Sequence, residues 1–301
     1  METSLSLGAP SLDHLSPKHK IIASLGDDKR IRFIQKDIWI SYPQSAVVRA
    51  AVRAVLNMPK KLQTQCILVS ANSGMGKSSL FNRILDDVRK SAPNGRAHSG
   101  VLSFTLEETL SVYSLVDVIY TALGVNSPPG SFREKKKSLT VLLKAREIKA
   151  IIIDEFHHLL LSGRLEQRKM LAFMKNLGGS PSFISIIAFG IEDAENALRS
   201  DRQLERRFQI YHLMPWTESE ELRSFLIAYE QQLPIRQPSE LWKQEKVLYL
   251  LRVSAGITDD IVTRISRGAV WSILMRKECI DIECLEKAAM IPPLPEDFAS
   301  E

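Results

Sequence analysis

Ile67-Leu68-Val69-Ser70-Ala71-Asn72-Ser73-Gly74-Met75-Gly76-Lys77-Ser78-Ser79-Leu80 decides the fold. A short apolar run meets a loop of small residues, and Gly-Lys-Ser then opens a helical pattern. That order reads as strand, phosphate-binding loop and helix. Glycines let successive backbone N–H groups turn toward phosphate oxygens. The helix that follows offers its positive end to the same charge. In this reading residues 72–79 cradle a nucleoside triphosphate: Asn72, Ser73, Gly74, Met75, Gly76, Lys77, Ser78 and Ser79. Lys77 reaches the β- and γ-phosphates and the Ser78 hydroxyl holds Mg²⁺. Ala71 stands where the G-x-x-x-x-G-K-[ST] pattern has its first glycine. Alanine is small and Gly74 and Gly76 remain, so the loop is expected to form.

Further along, Lys149-Ala150-Ile151-Ile152-Ile153-Asp154-Glu155 is a β-branched apolar run ending in two acids. Such a run suits a parallel strand buried on both faces, and open α/β sheets bind ligands beyond the carboxyl ends of their strands. Asp154 is therefore a candidate Mg²⁺ partner with Ser78, and Glu155 a candidate general base for the attacking water. Taken alone, the pair reads better as two solvated acids at a strand end; with the loop at 71–78 the site reading prevails. His157 and His158 follow, but no further ligands stand at metal-binding spacing, so no separate metal site is expected there.

The chain has 301 residues, enough for one large or two medium domains, with 45% hydrophobic and 25% charged residues. Its uncharged apolar stretches are far too short to span a membrane. The first residues lack the basic, apolar and small-residue succession of a secretion signal, so a cytosolic protein is expected. Cys66, Cys279 and Cys284 are odd in number and read as reduced, structural thiols. The net charge is +5. Residues 131–150 carry that whole surplus: Arg133, Lys135, Lys136, Lys137, Lys144, Arg146 and Lys149 outnumber Glu134 and Glu147. Residues 280–301 are acidic in turn. A basic band on a balanced chain is a candidate phosphate-backbone surface. We take Arg133 and Lys135–Lys137 as the contacts, with Arg164 and Arg168 behind them. An ordinary solvated helix start would show the same charges.

Three segments follow. Residues 1–43 are expected to be flexible or extended, closing on Ile38-Trp39-Ile40-Ser41-Tyr42-Pro43, where Ile40 either walls the base pocket or simply packs. Residues 44–215 form the α/β core: helix 44–57, strand 66–70, helix 77–90, a turn at 92–95, strand 101–105, helix 111–123, helix 140–148, strand 150–155, helix 159–177 and strand 183–189. Strands alternating with helices imply a parallel sheet covered on both faces. Arg206 and Arg207, before Phe208, are candidates for reaching a neighbouring subunit's γ-phosphate, because arginine stays charged and presents a planar fork of donors. Residues 216–301 read as helices broken near Gly256, a helical lid and tail.

The assembled pattern resembles the AAA+ P-loop NTPases, and within them the TniB-like (TnsC-related) ATPases of bacterial DNA transposons. Residues 37–43, 72–78, 151–155 and Asp201-Arg202-Gln203-Leu204-Glu205-Arg206-Arg207-Phe208 carry the likeness. It implies an ATPase that assembles as a ring or filament on duplex DNA, recruits a DDE transposase and works with a TniQ-type target-selection protein. It also implies ATP and Mg²⁺ as cofactors, Asp154 and Glu155 in hydrolysis, Arg207 with Arg206 as the trans-acting finger, and a mobile element as the source. Where that family has a polar sensor after the fourth strand, this chain has Phe189-Gly190-Ile191, leaving Glu192 as the nearest candidate. Near Gly256 it has Asp259 and Asp260 where a basic sensor is usual. Slow hydrolysis fits both departures. A helicase loader or replication initiator, a small-substrate P-loop kinase and a non-hydrolysing nucleotide-binding scaffold are the competing classes.

Overall fold

The computed structural model describes residues 12–59, 64–91, 100–107 and 111–293. The expected turn at 92–95, the first residues of the N-terminal segment and the end of the acidic tail lie outside them. The elements run α1 (Pro17–Ala23), α2 (Asp27–Ile34), α3 (Pro43–Leu56), β1 (Cys66–Ser70), α4 (Lys77–Lys90), β2 (Val101–Thr105), α5 (Val112–Ala122), α6 (Phe132–Ala145) and β3 (Ala150–Asp154). A 3₁₀ helix (Phe156–Leu161) follows, then α7 (Arg164–Leu177), β4 (Ser185–Gly190), α8 (Asp193–Arg199), α9 (Arg202–Glu205) and β5 (Phe208–His212). The last helices are α10 (Glu220–Glu230), α11 (Gln244–Ser254), α12 (Thr258–Leu274) and α13 (Ile282–Lys287).

The chain divides into two compact units. One is Pro43–Met214; the other joins the residues up to Tyr42 with those from Pro215 onward. The first unit holds a five-stranded sheet in the order β2-β3-β4-β1-β5, all parallel. β1, β3 and β4 are buried along their whole length, as their unbroken apolar runs require when helices cover both faces. Their core includes Leu68, Ile151, Ile153, Phe156, Ile186 and Ala188, packed with Leu115, Leu143 and Met174 of the helices. The register sets Ser70 level with Gly190 and with His212, and Thr105 level with Asp154, so these strand ends share one edge.

Three local expectations change. β5 was not predicted: Phe-Gln-Ile-Tyr-His is an edge strand with no fully buried residue, so it lacks the continuous apolar run. α6 starts at Phe132, not Thr140, because Ser131 and Glu134 close a reciprocal capping box that satisfies two first-turn donors. The basic band therefore lies on a helix. The helix expected over 159–177 is split, since Ser162 and Gly163 separate the 3₁₀ turn from α7.

Among its described residues, the regular elements of the other unit are all helices. The expectation of a flexible or extended segment over residues 1–43 fails for 17–34, which form α1 and α2. Ile31 and Ile34 are buried with Ile40, Tyr42, Trp216, Phe225 and Ile265 in one core, and only the residues from Ile38 to Tyr42 are extended in the way the sequence suggested. Ile40 is thus a packing residue of this unit. Arg30 is fully buried and donates to Pro234 O at 2.9 Å, Asp27 Oδ1 at 3.0 Å and Glu278 Oε1 at 2.9 Å, with a second bond to Glu278 Oε2. Arg236 reaches the same carboxylate at 3.1 Å. Burial pushes the Glu278 carboxyl up, but its bonds and charges from Arg30 and Arg236 outweigh that and hold it below its ordinary 4.5. A buried arginine needs this degree of pairing to be tolerated.

Candidate functional site

The phosphate-loop residues connect the end of β1 to α4. Gly74 and Gly76 have φ of +74° and +81°, left-handed conformations that only glycine adopts freely. Ala71 is not among the left-handed residues. It is buried, and its N–H donates to Gly190 O at 3.0 Å. An alanine there costs the loop nothing, which explains why the departure from the glycine pattern is accommodated. α4 has Gly76 at its N-cap, with no side-chain cap and no acid in its first turn. Its first N–H groups and its positive dipole end are left for an anion.

Lys77 is buried and turns back on its own loop, Nζ donating to Ala71 O at 2.8 Å and Asn72 O at 3.0 Å. Burial pulls its pKa down, and the charges of Glu155 and Asp154 oppose that. Asp154 is buried at the end of β3 and accepts the Glu155 N–H at 2.9 Å. Its carboxyl is pushed up, first by burial and then by the Glu155 charge, despite that hydrogen bond and the charges of Lys77 and His157. The structure thus brings Lys77, Asp154 and Glu155 into one electrostatic cluster. A divalent cation beside Asp154 would offset the cost of burying its charge. Ser78 and Ser79 are exposed at the start of α4, as are Asn72 and Ser73 in the loop. Met75 is buried, so it offers the loop its backbone only. These residues fit a Mg²⁺-nucleotide.

Glu155 has φ +53°, a strained conformation for a residue with a side chain, of the kind that gathers at functional sites. Its Oε2 lies 3.2 Å from His157 Nδ1. That pair is near enough for charge interaction but misaligned for a hydrogen bond, so the buried His157 Nδ1 has no hydrogen-bond partner among the described residues. His158 Nδ1 bonds Leu106 O at 2.8 Å, and Leu106 N–H donates to Asp154 O at 3.0 Å.

No side chain fits at the end of β4. A Cβ on Gly190 would stand 2.8 Å from Ala194 Cβ and 3.4 Å from His157 N. Glu192, the sensor candidate, is exposed. A second buried acid near this edge is Glu195, which the sequence reading missed. It is 5% exposed and lies 3.3 Å from Arg199 Nη2 and 3.5 Å from His212 Nδ1. Only the α8 turn and β5 register bring His212 to it, and no sequence spacing announces that. In the helical unit Asp259 and Asp260 are exposed in the first turn of α12, where acids favour the helix dipole.

The two arginines separate. Arg207 Nη1 donates to Lys175 O at 2.9 Å, tying off a carbonyl in the last turn of α7, and its own carbonyl accepts the Cys66 N–H at 2.8 Å. The bond to Lys175 ties the sheet's amino edge to α7, while Arg207 Nε is buried with no hydrogen-bond partner among the described residues. Arg206 is exposed and has no partner among the described residues. Because Phe208 is level with Cys66, both lie a full strand from the loop, about 16 Å away. On the basic band, Lys135 pairs with Asp117 at 2.9 Å and Arg146 donates to Leu123 O at 2.6 Å. Arg133 and Lys137 are exposed and Lys136 half-exposed, none with an ion-pair partner among the described residues. Arg164 and Arg168 are exposed on α7.

Against known families, the profile of the bacterial TniB protein matches residues 30–218. The chain belongs to the TniB family. Among solved structures this TniB-family chain resembles Drosophila ORC bound to DNA (TM-score 0.60, 13% identity, covering 96% of this chain and 69% of that one). It also resembles the Aeropyrum pernix ORC1 protein in complex with DNA (TM-score 0.59, 15% identity, 86% and 68%). A third is Cdc6p from Pyrobaculum aerophilum (TM-score 0.60, 13% identity, 88% and 70%). At such identity the likeness shows the fold, an AAA+ P-loop α/β fold as the sequence predicted. No curated protein matches the sequence. No helix of the described residues is long and apolar enough to cross a membrane.

Proposed function

We propose that this protein is an ATPase that assembles on target duplex DNA in its ATP-bound state and there recruits and activates a DDE transposase, with a TniQ-type protein as adaptor. The observation that carries the reading is the TniB-family match over a chain in which Lys77, Asp154 and Glu155 converge at one sheet edge. The 72–79 loop would hold ATP, Lys77 would meet its β- and γ-phosphates, and Ser78 and Asp154 would hold Mg²⁺. Glu155 orients and deprotonates the attacking water. Bound Mg²⁺ supplies the charge that makes the γ-phosphoryl electrophilic. Arg207, with the exposed Arg206 beside it, serves as the finger in trans; both lie a strand's length from their own loop, so the role requires homo-oligomerisation. Gly190 leaves the usual sensor position empty, which supports slow turnover. Arg133, Lys136 and Lys137, with Lys135 partly committed to Asp117, face the DNA backbone and carry no sequence information.

The replication-initiator reading draws on the two DNA-bound ORC structures, and the family match favours transposition over it. Sedimentation on duplex DNA tests the proposal. ATP-dependent oligomers, absent with ADP and in Lys77→Ala, are expected. A monomer indifferent to DNA in every nucleotide state would overturn it.

A further inference from the structure

Glu155, His157 and His158 stand together with one potential ligand atom of each within 4.8 Å of the others, all three half-buried. Residue order alone offers no reason to expect this. Two adjacent histidines normally diverge, but the 3₁₀ turn after the left-handed Glu155 brings their ring centroids to 4.6 Å. Two features make the trio look like a ligand set and not a chance cluster. His158 Nδ1 faces a carbonyl, which only accepts, so Nδ1 carries the proton and Nε2 keeps its lone pair. Ligating histidines are commonly fixed by this kind of outer hydrogen bond. His157 Nδ1 is buried without a hydrogen-bond partner yet lies 3.2 Å from Glu155 Oε2. That separation is close to the roughly 3.3 Å between ligand atoms of a tetrahedral zinc centre.

We propose that Glu155, His157 and His158 form a three-ligand site for a zinc-class transition-metal ion, distinct from the Mg²⁺ position at Ser78 and Asp154. Ligand chemistry separates the two: imidazole selects zinc, cobalt or nickel, whereas hydroxyl and carboxylate oxygens suit magnesium. The half-buried setting leaves a fourth position for water. Occupation takes the Glu155 carboxylate away from the attacking water and arrests hydrolysis while Lys77 and Ser78 go on holding ATP. Metal binding stands on the geometry alone; the arrest rests on the proposed role of Glu155 as base.

Cobalt(II) is the probe, titrated into the full chain and followed by visible absorption. One equivalent with tetrahedral ligand-field bands and no thiolate charge transfer is expected, displaced by Zn²⁺. The His157→Asn/His158→Asn double variant should weaken Co²⁺ binding at least about a hundredfold, since it removes two of three ligands, while binding a fluorescent ATP analogue as the wild type does. Loss of analogue binding as well would point to misfolding; each single variant is then titrated, and each must weaken Co²⁺ at least about tenfold. Absent ligand-field bands, thiolate charge transfer, or equal affinity in the variants would overturn the site. Stoichiometric Zn²⁺ should stop ATP turnover without releasing ATP. Co²⁺ binding with undiminished turnover in Zn²⁺ would uphold the site and overturn Glu155 as the base.

Discussion

Gly190→Ala tests the packing that denies this site a side chain at the end of β4. The added methyl would sit 2.8 Å from Ala194 Cβ, 3.4 Å from His157 N and 3.6 Å from Phe156 Cβ. Apolar carbons prefer about 3.5–4.0 Å, so α8 must retreat by about 1 Å. None of the three can rotate away, because Ala194 is completely buried and every contact is at Cβ or backbone. Overpacking of this kind costs about 1–3 kcal/mol, which for a unit of this size lowers Tm by about 2–12 °C. The displacement reaches the nucleotide loop, because Gly190 O holds Ala71 N–H. The assay is a double-mutant cycle by thermal unfolding, with binding of a fluorescent ATP analogue as second readout. Ala194→Gly alone costs about 1 kcal/mol in helix propensity and more for its lost methyl. Combined with Gly190→Ala it removes the clash, so the double variant should lose less than the sum of the singles by at least about 1 kcal/mol. Additive losses, or an unchanged Tm in Gly190→Ala, would refute the close approach of α8.

Other expectations concern both units. Gly256→Ala should destabilise by more than about 2 kcal/mol, because φ there is +77° and a Cβ would meet Trp216 O at 2.2 Å; a thermal melt within a degree of wild type would disprove it. Arg30→Met strands the Glu278 carboxylate and should cost about 3 kcal/mol in urea unfolding at pH 7, the low end for a broken buried pair because Arg236 remains. Glu278 is held below its ordinary 4.5 when folded, so its contribution is complete above that value and is lost as pH falls through the folded one. The gap between wild type and Arg30→Met should therefore narrow in acid, and a constant gap from pH 7 to 3 would contradict the pairing. Reversing charge at Arg133, Lys136 and Lys137 should weaken duplex DNA binding at all sequences and lower the salt slope by about 1 per contact removed. Unchanged affinity at low salt would clear this face of a role.

The sheet was legible where burial on both faces forces an unbroken apolar run, as in β1, β3 and β4. It was not legible in β5, whose pairing with β1 compensates for a mixed composition. The loop and acid pair were legible because the nucleotide chemistry requires those residue types next to those strands. Glu195 and His212 were not, since only a helix turn and a strand register bring them together. The bond from Arg207 to the last turn of α7 was not legible either, because nothing local shows that Lys175 offers it a carbonyl.

By itself, then, the sequence determined the strand–loop–helix unit, the acids at the end of β3 and the TniB resemblance, all local patterns whose physics lies within a few residues. Tertiary structure decided the rest. It folded α1 and α2 into the helical unit, because their apolar faces need partners some 200 residues away, as Arg30 needs Pro234 and Glu278. It committed Lys135 and Arg207 to pairs and left Arg206 free. It also drew Glu155, His157 and His158 into one cluster, because the left-handed turn at Glu155 aims side chains in a way that residue order does not encode.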